Sequence, residues 1–141
     1  MKKENVLFIC RFNRNRSRVA EAYFNKIKED KNLEAKSAGL FKGSPVGKED
    51  IRLAKKFGID IRGRIQGISS KLLAWQTLTI IVADDVPPEI FNKNRKVGMK
   101  IRIWKIKDSQ YQKNPERLIK EIIKKVDNLV KGLKLPKRFF K

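Results

Sequence analysis

Short apolar runs alternate along the chain with segments in which apolar residues recur at helical spacing. Residues 6–10 are wholly apolar and residues 78–83 are apolar except for Thr79, which is typical of buried strands in a parallel sheet. Residues 34–38 predict a third strand. Basic and apolar residues alternate over residues 100–106, which indicates a less buried strand at a sheet edge. The pattern therefore predicts four strands.

Helices are predicted between and after these strands. Apolar residues recur at helical spacing in residues 18–30, in residues 48–57 and from residue 115 to about residue 130. A Pro-Pro pair at 87–88 opens a short helix that ends at Phe91. Alternating strands and helices favour a parallel sheet. We expect an α/β protein with a three-layer, doubly wound, four-stranded parallel sheet and helices on both faces.

The 141 residues fit a single domain, with residues 131–141 forming a basic tail that we expect to be partly loose. No apolar run approaches the roughly 18 residues that cross a bilayer, and the N-terminus does not resemble a signal peptide. A cytoplasmic protein is therefore expected. The net charge of +20 favours polyanionic partners such as nucleic acid, acidic lipid or phosphorylated substrates. Nothing in the sequence indicates an oligomeric state.

The chain has one cysteine and no histidine. An intramolecular disulfide is therefore impossible, and neither a zinc site nor catalysis that depends on imidazole is expected. No metal and no cofactor are predicted. Any nucleophile in this chain must be activated by groups other than imidazole.

One short segment has the pattern of a catalytic phosphate-binding loop. From Cys10 to Ser17 the residues fit C-x5-R-[S/T], between a buried strand and the start of a helix. Backbone amides of such a loop form a nest for an anion, and Arg16 can donate two parallel hydrogen bonds to phosphate oxygens. These groups would stabilise a Cys10 thiolate, and Ser17 is placed to bond the sulfur. The predicted phosphate-binding residues are Arg11, Phe12, Asn13, Arg14, Asn15, Arg16 and Ser17, with Cys10 as the nucleophile.

Candidate acids follow the later strands. Asp84 and Asp85 come after the third strand, and Asp108 comes after the fourth. Ligands of open α/β sheets bind beyond the carboxyl ends of the strands, so we expect these residues at the same sheet edge as Cys10. Asp84 and Asp85 are predicted mainly to cap the short helix that follows them. The ordinary structural interpretation of Asp108 is a turn or capping residue before the last helix.

Several stretches together match a known family. The strand that ends at Cys10, Asn13, the Arg16-Ser17 pair and the Ala-Glu-Ala-Tyr-Phe of residues 20–24 resemble the opening of the low-molecular-weight protein tyrosine phosphatase superfamily, in particular a compact prokaryotic branch. Weaker matches extend the resemblance over most of the chain: residues 37–39, residues 57–60, the strand before Asp84, and residues 106–108.

The resemblance implies a role for each motif residue. Cys10 would attack phosphorus in line, Arg16 and the loop amides would hold the equatorial oxygens, and Asn13 would brace the loop. Asp108 would protonate the leaving oxygen and then activate the water that hydrolyses the phosphocysteine.

The chain also departs from the family pattern. The family commonly has glycine at the position of Phe12, cysteine or another small residue at Asn15, and proline at Arg18. Its acid usually precedes proline or aspartate, whereas Ser109 stands here, and Phe41 replaces the usual aromatic residue after the second strand. A positive φ at Phe12 would be strained.

The sequence therefore predicts a cysteine-dependent phosphomonoester hydrolase, similar to protein tyrosine phosphatases, that acts on phosphorylated proteins or other phosphomonoesters. Arg11, Arg14 and Arg18 lie close to Arg16 in sequence and indicate a preference for polyanionic phosphoesters.

Three alternatives stay open. One is an arsenate reductase that uses an external thiol, because a relay of several cysteines is impossible here. Another is a non-catalytic phosphate-loop protein that binds nucleic acid, acidic partners or a membrane surface through its basic residues and tail. The third is a structural role for the loop, with Cys10 as a buried strand end and the arginines in a solvated turn.

Overall fold

The computed structural model describes residues 3–91, 100–108 and 113–134. Its elements follow the order β1 (Glu4–Cys10), α1 (Arg16–Ile27), β2 (Leu33–Gly39), α2 (Lys48–Lys56), α3 (Ser70–Trp75), β3 (Leu78–Val82), a 3₁₀ helix (Pro88–Phe91), β4 (Lys100–Trp104) and α4 (Pro115–Lys134). All four predicted strands are present, as are the predicted helices.

The strands form one parallel sheet in the order β2-β1-β3-β4. The chain passes from β1 outward to β2, returns to place β3 on the other side of β1, and continues outward to β4. The order therefore reverses between β1 and β3, where an open α/β sheet leaves a crevice for ligands beyond its carboxyl ends. The loop after β1 lies at this point. As predicted, β4 is the less buried edge strand, and Ile103 is 44% exposed.

One face of the sheet packs against α1, α2 and α4. Val6 and Phe8 of β1 point to this side and are fully buried. The Phe8 ring meets Phe24 of α1 edge-on, with 6.0 Å between the ring centroids. Tyr23 donates a hydrogen bond of 2.7 Å to Asp127, which joins α1 to α4. This layer is the larger part of the core.

The opposite face is covered by α3 and the 3₁₀ helix. Leu7 and Ile9 of β1 pack here with Leu72, Val86 and Phe91. Because strand residues alternate between the two faces, the apolar residues 6–10 of β1 supply both halves of the core. The predicted three-layer α/β architecture is therefore confirmed. Helix α3 was not predicted, because its six residues are too few to show helical periodicity.

Most elements differ from their predicted bounds by one to four residues, and three of these differences concern the site or the tail. Helix α1 begins at Arg16, two residues earlier than expected, so Arg16 belongs to its first turn. Strand β4 ends at Trp104, which leaves residues 106–108 in a loop. Helix α4 continues to Lys134, so the first four residues of the predicted tail are helical, and residues 135–141 lie outside the described residues.

No helix in the described ranges combines the length and the apolar character that crossing a bilayer requires.

Candidate active site

The loop between β1 and α1 is fixed by the chain that follows β2. Leu40 N donates to Cys10 O at 3.0 Å, and Phe41 N donates to Arg11 O at 2.9 Å. At the end of β2, a Cβ on Gly39 would lie 2.6 Å from the carbonyl carbon of Phe12 and 2.7 Å from the amide nitrogen of the next residue. Glycine is therefore required at position 39, because any side chain would collide with the loop backbone.

Asn13 is the centre of the loop. It has a φ of 56°, in the left-handed region that asparagine tolerates. Its Nδ2 donates to Ser17 Oγ and Ser37 Oγ, both at 2.9 Å, and its Oδ1 accepts from the amide of Gln66 at 3.1 Å. Asn13 is the only non-glycine residue with positive φ among the described residues, so Phe12 does not carry that strain.

A buried chain of hydrogen bonds leads away from the cysteine. Cys10 is 2% exposed, and its Sγ lies 3.0 Å from Ser17 Oγ. Asn13 joins Ser17 to Ser37, whose hydroxyl donates to Glu21. Burial raises the pKa of Glu21, and this shift is opposed by the Ser37 hydrogen bond and by the charge of a nearby arginine. These contacts fix both the sulfur and the loop that surrounds it.

Arg18 is a structural residue of the loop and does not line the cavity that contains Cys10. Its side chain is buried, and its Nε donates to Ile61 O at 2.7 Å. Its Nη1 donates to Arg64 O at 2.8 Å and lies 3.4 Å from Asn13 Oδ1. Gly63 makes room for it, because a Cβ there would lie 2.6 Å from Arg18 Nη2. The guanidinium therefore ties α1 and the loop to residues 61–66.

Three carboxylates surround Arg16, which is 2% exposed. Its Nη2 lies 3.0 Å from Asp85 Oδ1 and 3.9 Å from Asp108 Oδ2, and its Nη1 lies 3.7 Å from Asp84 Oδ1. Its Nη1 also donates to Ile106 O at 2.8 Å. Asp84 and Asp85 were predicted mainly as helix caps, but both lie beside Arg16 because β3 ends next to β1. Together these groups fix the orientation of the guanidinium.

The predicted catalytic residues line one cavity of about 220 Å³, formed by Cys10, Phe12, Arg14, Asn15, Arg16, Asp50 and Asp108. Asp108 does not cap the last helix, because Asn114 Oδ1 accepts the hydrogen bond from the Glu116 amide instead. Asn13 and Ser17 support the loop from beneath and do not line the cavity. Asp50 was not predicted, because an acidic residue in the first turn of a helix is an ordinary stabilising feature.

Aromatic and arginine side chains surround the opening of this cavity. Phe12 and Phe41 lie 6.2 Å apart, measured between ring centroids, and Phe41 is 52% exposed. The Arg11 guanidinium lies 5.3 Å from the Phe12 centroid and 5.8 Å from that of Phe41. Arg14 Nε donates to Pro45 O at 3.1 Å. Arg14 and Phe12 therefore line the cavity, whereas Arg11 lies beside Phe12 and is not part of the lining.

A larger cavity, of about 460 Å³, lies between α2 and residues 58–62 and does not include Cys10. All the predicted catalytic residues line the smaller cavity, so size does not identify the site in this molecule. No group of three or more histidine, cysteine, aspartate or glutamate side chains suited to a metal ion occurs in residues 3–91, 100–108 and 113–134.

Comparisons with known proteins point to a single family fold. A profile of the low molecular weight phosphotyrosine protein phosphatase family matches residues 5–135. A search of curated proteins finds no match. The low molecular weight protein tyrosine phosphatase from T. tengcongensis is 26% identical, with a TM-score of 0.79, 92% of this chain covered and 99% of that chain.

Two further solved structures share the fold. The YwlE arginine phosphatase from Geobacillus stearothermophilus is 21% identical, with a TM-score of 0.79 and 93% of each chain covered. An arsenate reductase from Archaeoglobus fulgidus is 24% identical, with a TM-score of 0.69, 89% of this chain covered and 98% of that chain. The fold therefore occurs in proteins with different activities.

The family match covers nearly the whole chain, and it includes the loop after β1, the sheet except for Glu4, and the whole of the last helix. The chain belongs to the low molecular weight phosphotyrosine protein phosphatase family.

Proposed function

We propose that this chain hydrolyses phosphomonoesters through a phosphocysteine intermediate, with phosphotyrosine in proteins as its substrate class. The observation that carries the proposal is the convergence of Cys10, Arg16 and Asp108 on one small cavity. Family membership supports the same reaction.

In the first step, the Cys10 thiolate attacks phosphorus. An S–P bond forms while the P–O bond to the leaving group breaks, and Asp108 transfers its proton to the leaving oxygen. Arg16 and the loop amides hold the three equatorial oxygens, and the charge on these oxygens is stabilised by groups already in place. The fixed orientation of Arg16 supports this role, because no further ordering is needed during the reaction.

In the second step, water attacks the phosphorus of the phosphocysteine. Asp108, now a carboxylate, accepts a proton from the water, and the S–P bond breaks to release inorganic phosphate. The departing thiolate accepts a hydrogen bond from Ser17, whose Oγ lies 3.0 Å from the sulfur. The side chain of Asn13 keeps that hydroxyl in place.

The aromatic residues at the opening support an aryl leaving group. Phe12 lines the cavity itself, and Phe41 lies beside it with half of its surface exposed. A phosphotyrosine ring reaching Cys10 would pass these rings and bury apolar surface against them. An alkyl leaving group, as in phosphoserine, would gain less from the same contact.

Hydrolysis of p-nitrophenyl phosphate in the presence and absence of vanadate tests the proposal. We expect vanadate-sensitive turnover by the wild type. We expect no detectable turnover by Cys10→Ser, which should still bind vanadate or phosphate. Ser44→Ala, an exposed change in the loop after β2, is the matched control and should turn over normally. Absence of hydrolysis by the folded wild type would overturn the proposal.

The same assays separate Asp108 from its neighbour Asp85. Asp108→Ala should lower kcat for a phosphotyrosine peptide by about 10² or more, and lower it less for p-nitrophenyl phosphate, whose better leaving group needs the proton less. Asp85→Ala should weaken phosphate binding through Arg16 without this dependence on the leaving group. If both variants responded equally to the leaving group, the assignment of Asp108 as the acid would be wrong.

The alternatives predicted from sequence give different outcomes. Arsenate reductase activity would require arsenate-dependent oxidation of an added small thiol, since the chain has only one cysteine. A non-catalytic polyanion-binding protein would show steeply salt-dependent binding to duplex DNA or RNA and no hydrolysis of any phosphomonoester.

A further inference from the structure

Asp50 is a carboxylate of the catalytic cavity that the proposed mechanism does not use. It lies in the first turn of α2, is half-buried and lines the same cavity as Cys10. Within the described residues, its side-chain carboxylate forms no hydrogen bond and no ion pair. Its neighbour Glu49 differs in each respect, because its side chain is 82% exposed and pairs with Arg52 at 3.1 Å.

The position of Asp50 relative to Arg14 is set by the loop before α2. A Cβ on Gly47 would lie 3.5 Å from Arg14 Nη2 and 3.7 Å from Asp50 Oδ2. Both charged groups therefore lie next to Gly47, on the same side of the cavity that they line. Arg14 is already held through its Nε by Pro45 O. The carboxylate of Asp50, in contrast, is available to a group that enters the cavity.

Keeping a carboxylate at this position reduces the stability of the fold. Burial raises the pKa of Asp50, the charges of Asp108 and Glu49 raise it further, and Arg14 opposes the shift only in part. Perturbed carboxyl groups in clefts are common at functional sites, where stability is given up for function. This cost agrees with a role for Asp50 toward the substrate.

We propose that Asp50 is a specificity-determining residue that selects phosphomonoesters whose leaving group carries a positive charge near the phosphate, such as phosphopeptides with adjacent lysine or arginine. The proposal rests on the proposed phosphatase function. The phosphate itself is bound by Arg16 and the loop amides, so the leaving group is the part of the substrate that lies beside Asp50 in the cavity. An additional negative charge on that group would be repelled by the Asp50 carboxylate.

This inference reverses the preference for polyanions that was predicted from the sequence. Of the three arginines behind that prediction, Arg18 is buried against backbone carbonyls. Arg11 lies over the rings of Phe12 and Phe41, and Arg14 shares its part of the wall with Asp50. The lining of the cavity therefore includes carboxylates as well as arginines, although the whole chain has a net charge of +20.

Two phosphotyrosine peptides that differ only in flanking residues, lysine in one and glutamate in the other, test the proposal. For the wild type we expect a higher kcat/KM with the lysine peptide. Asp50→Asn should reduce the ratio of the two values by about fivefold, as expected for removal of one partly screened charge near the substrate. Glu49→Gln removes the same charge one residue away, outside the cavity, and should change the ratio by less than about twofold.

Binding measurements keep this test separate from the proposed reaction. The same peptides are titrated into Cys10→Ser and into Cys10→Ser combined with Asp50→Asn, and the ratio of dissociation constants should shift in the same direction. An unchanged ratio in both measurements would overturn the role of Asp50 even if the wild type is an active phosphatase. Absence of turnover with a shifted binding ratio would instead overturn the proposed function and support Asp50 as a determinant of binding.

Discussion

The floor and the mouth of the catalytic cavity are built in different ways. We call floor the buried group formed by Cys10 and the residues that support its loop from beneath, which are joined by side-chain hydrogen bonds: Asn13, Ser17, Arg18 and Ser37. The mouth consists of Phe12, Arg14, Phe41 and Asp50, which are half-buried or exposed. The floor holds the sulfur and the loop after β1 in place, and the mouth carries the groups that we expect to meet the rest of the substrate.

This difference separates the consequences of mutation. A buried donor or acceptor that loses its partner costs about 1–3 kcal/mol, so changes in the floor should reduce stability and activity together. The side chains of the mouth have few partners and can change without unfolding the protein. Changes there should alter substrate preference and leave stability nearly constant or even increase it.

The largest expected effect comes from Gly39→Ala. The added methyl group would lie 2.6–2.9 Å from backbone atoms of residues 12, 13 and 41, which cannot move without opening the phosphate loop. We expect a loss of at least about 3 kcal/mol in the free energy of unfolding, or no folded protein, and loss of phosphate binding in whatever folds. Urea denaturation and vanadate binding measure both.

The matched control for this change is Gly132→Ala. Gly132 lies within α4, and a Cβ there meets no atom within 4 Å. Alanine is the better helix former, so this variant should be more stable by about 0.5–1 kcal/mol. If Gly39→Ala behaved like Gly132→Ala, the floor would be far more adaptable than its contacts indicate.

Arg18→Met should have the next largest effect. Methionine fills a similar volume but leaves Ile61 O and Arg64 O without this donor and removes a contact from Asn13. We expect the free energy of unfolding to fall by about 2–4 kcal/mol and phosphate to bind more weakly. Arg18→Lys should recover only part of the loss, because an ammonium group cannot reproduce the planar guanidinium fork.

Arg52→Met is the control for this prediction, because the Arg52 side chain on α2 is 70% exposed. It should change the free energy of unfolding by less than about 0.5 kcal/mol. Equal effects of the two substitutions would mean that the buried contacts of Arg18 do not support the loop.

The fold and the loop were predictable from local sequence. Apolar runs of strand length predicted β1 and β3, and the spacing from Cys10 to Arg16 marked the loop between β1 and α1 as the candidate phosphate loop. Asp108 could be nominated because the carboxyl ends of parallel strands meet at one sheet edge. The sequence also indicated that β4 is an edge strand, since its basic and apolar residues alternate.

The features that were missed depend on contacts between distant parts of the chain. Arg18 resembles any basic residue at a helix start, and its partners are backbone carbonyls 43 and 46 positions further along. Asp50 resembles an ordinary first-turn acid, and it reaches the cavity only because the loop after β2 places α2 beside Arg14. No local pattern encodes either contact, because each partner is brought close only by the tertiary fold.

The smallest expected effect on stability is at the mouth, where Asp50→Asn should make the protein more stable near pH 7. Because burial raises the pKa of Asp50, the folded state holds this proton more tightly than the unfolded chain does. Protonation of Asp50 therefore contributes most to the free energy of unfolding of the wild type below the ordinary pKa of aspartate. This contribution is lost as pH rises through the raised pKa. Asparagine does not titrate and avoids that loss.

The gain at neutral pH should stay below about 1 kcal/mol, because the carboxylate is partly exposed and screened by solvent. It should shrink as the pH falls below the ordinary pKa of aspartate, since Asp50 is then protonated in both states. Urea denaturation at several pH values measures the difference, and Glu49→Gln, which removes an exposed carboxylate, should show no such gain. A less stable Asp50→Asn at pH 7 would place Asp50 among the structural residues of the floor, and the division between floor and mouth would fail at α2.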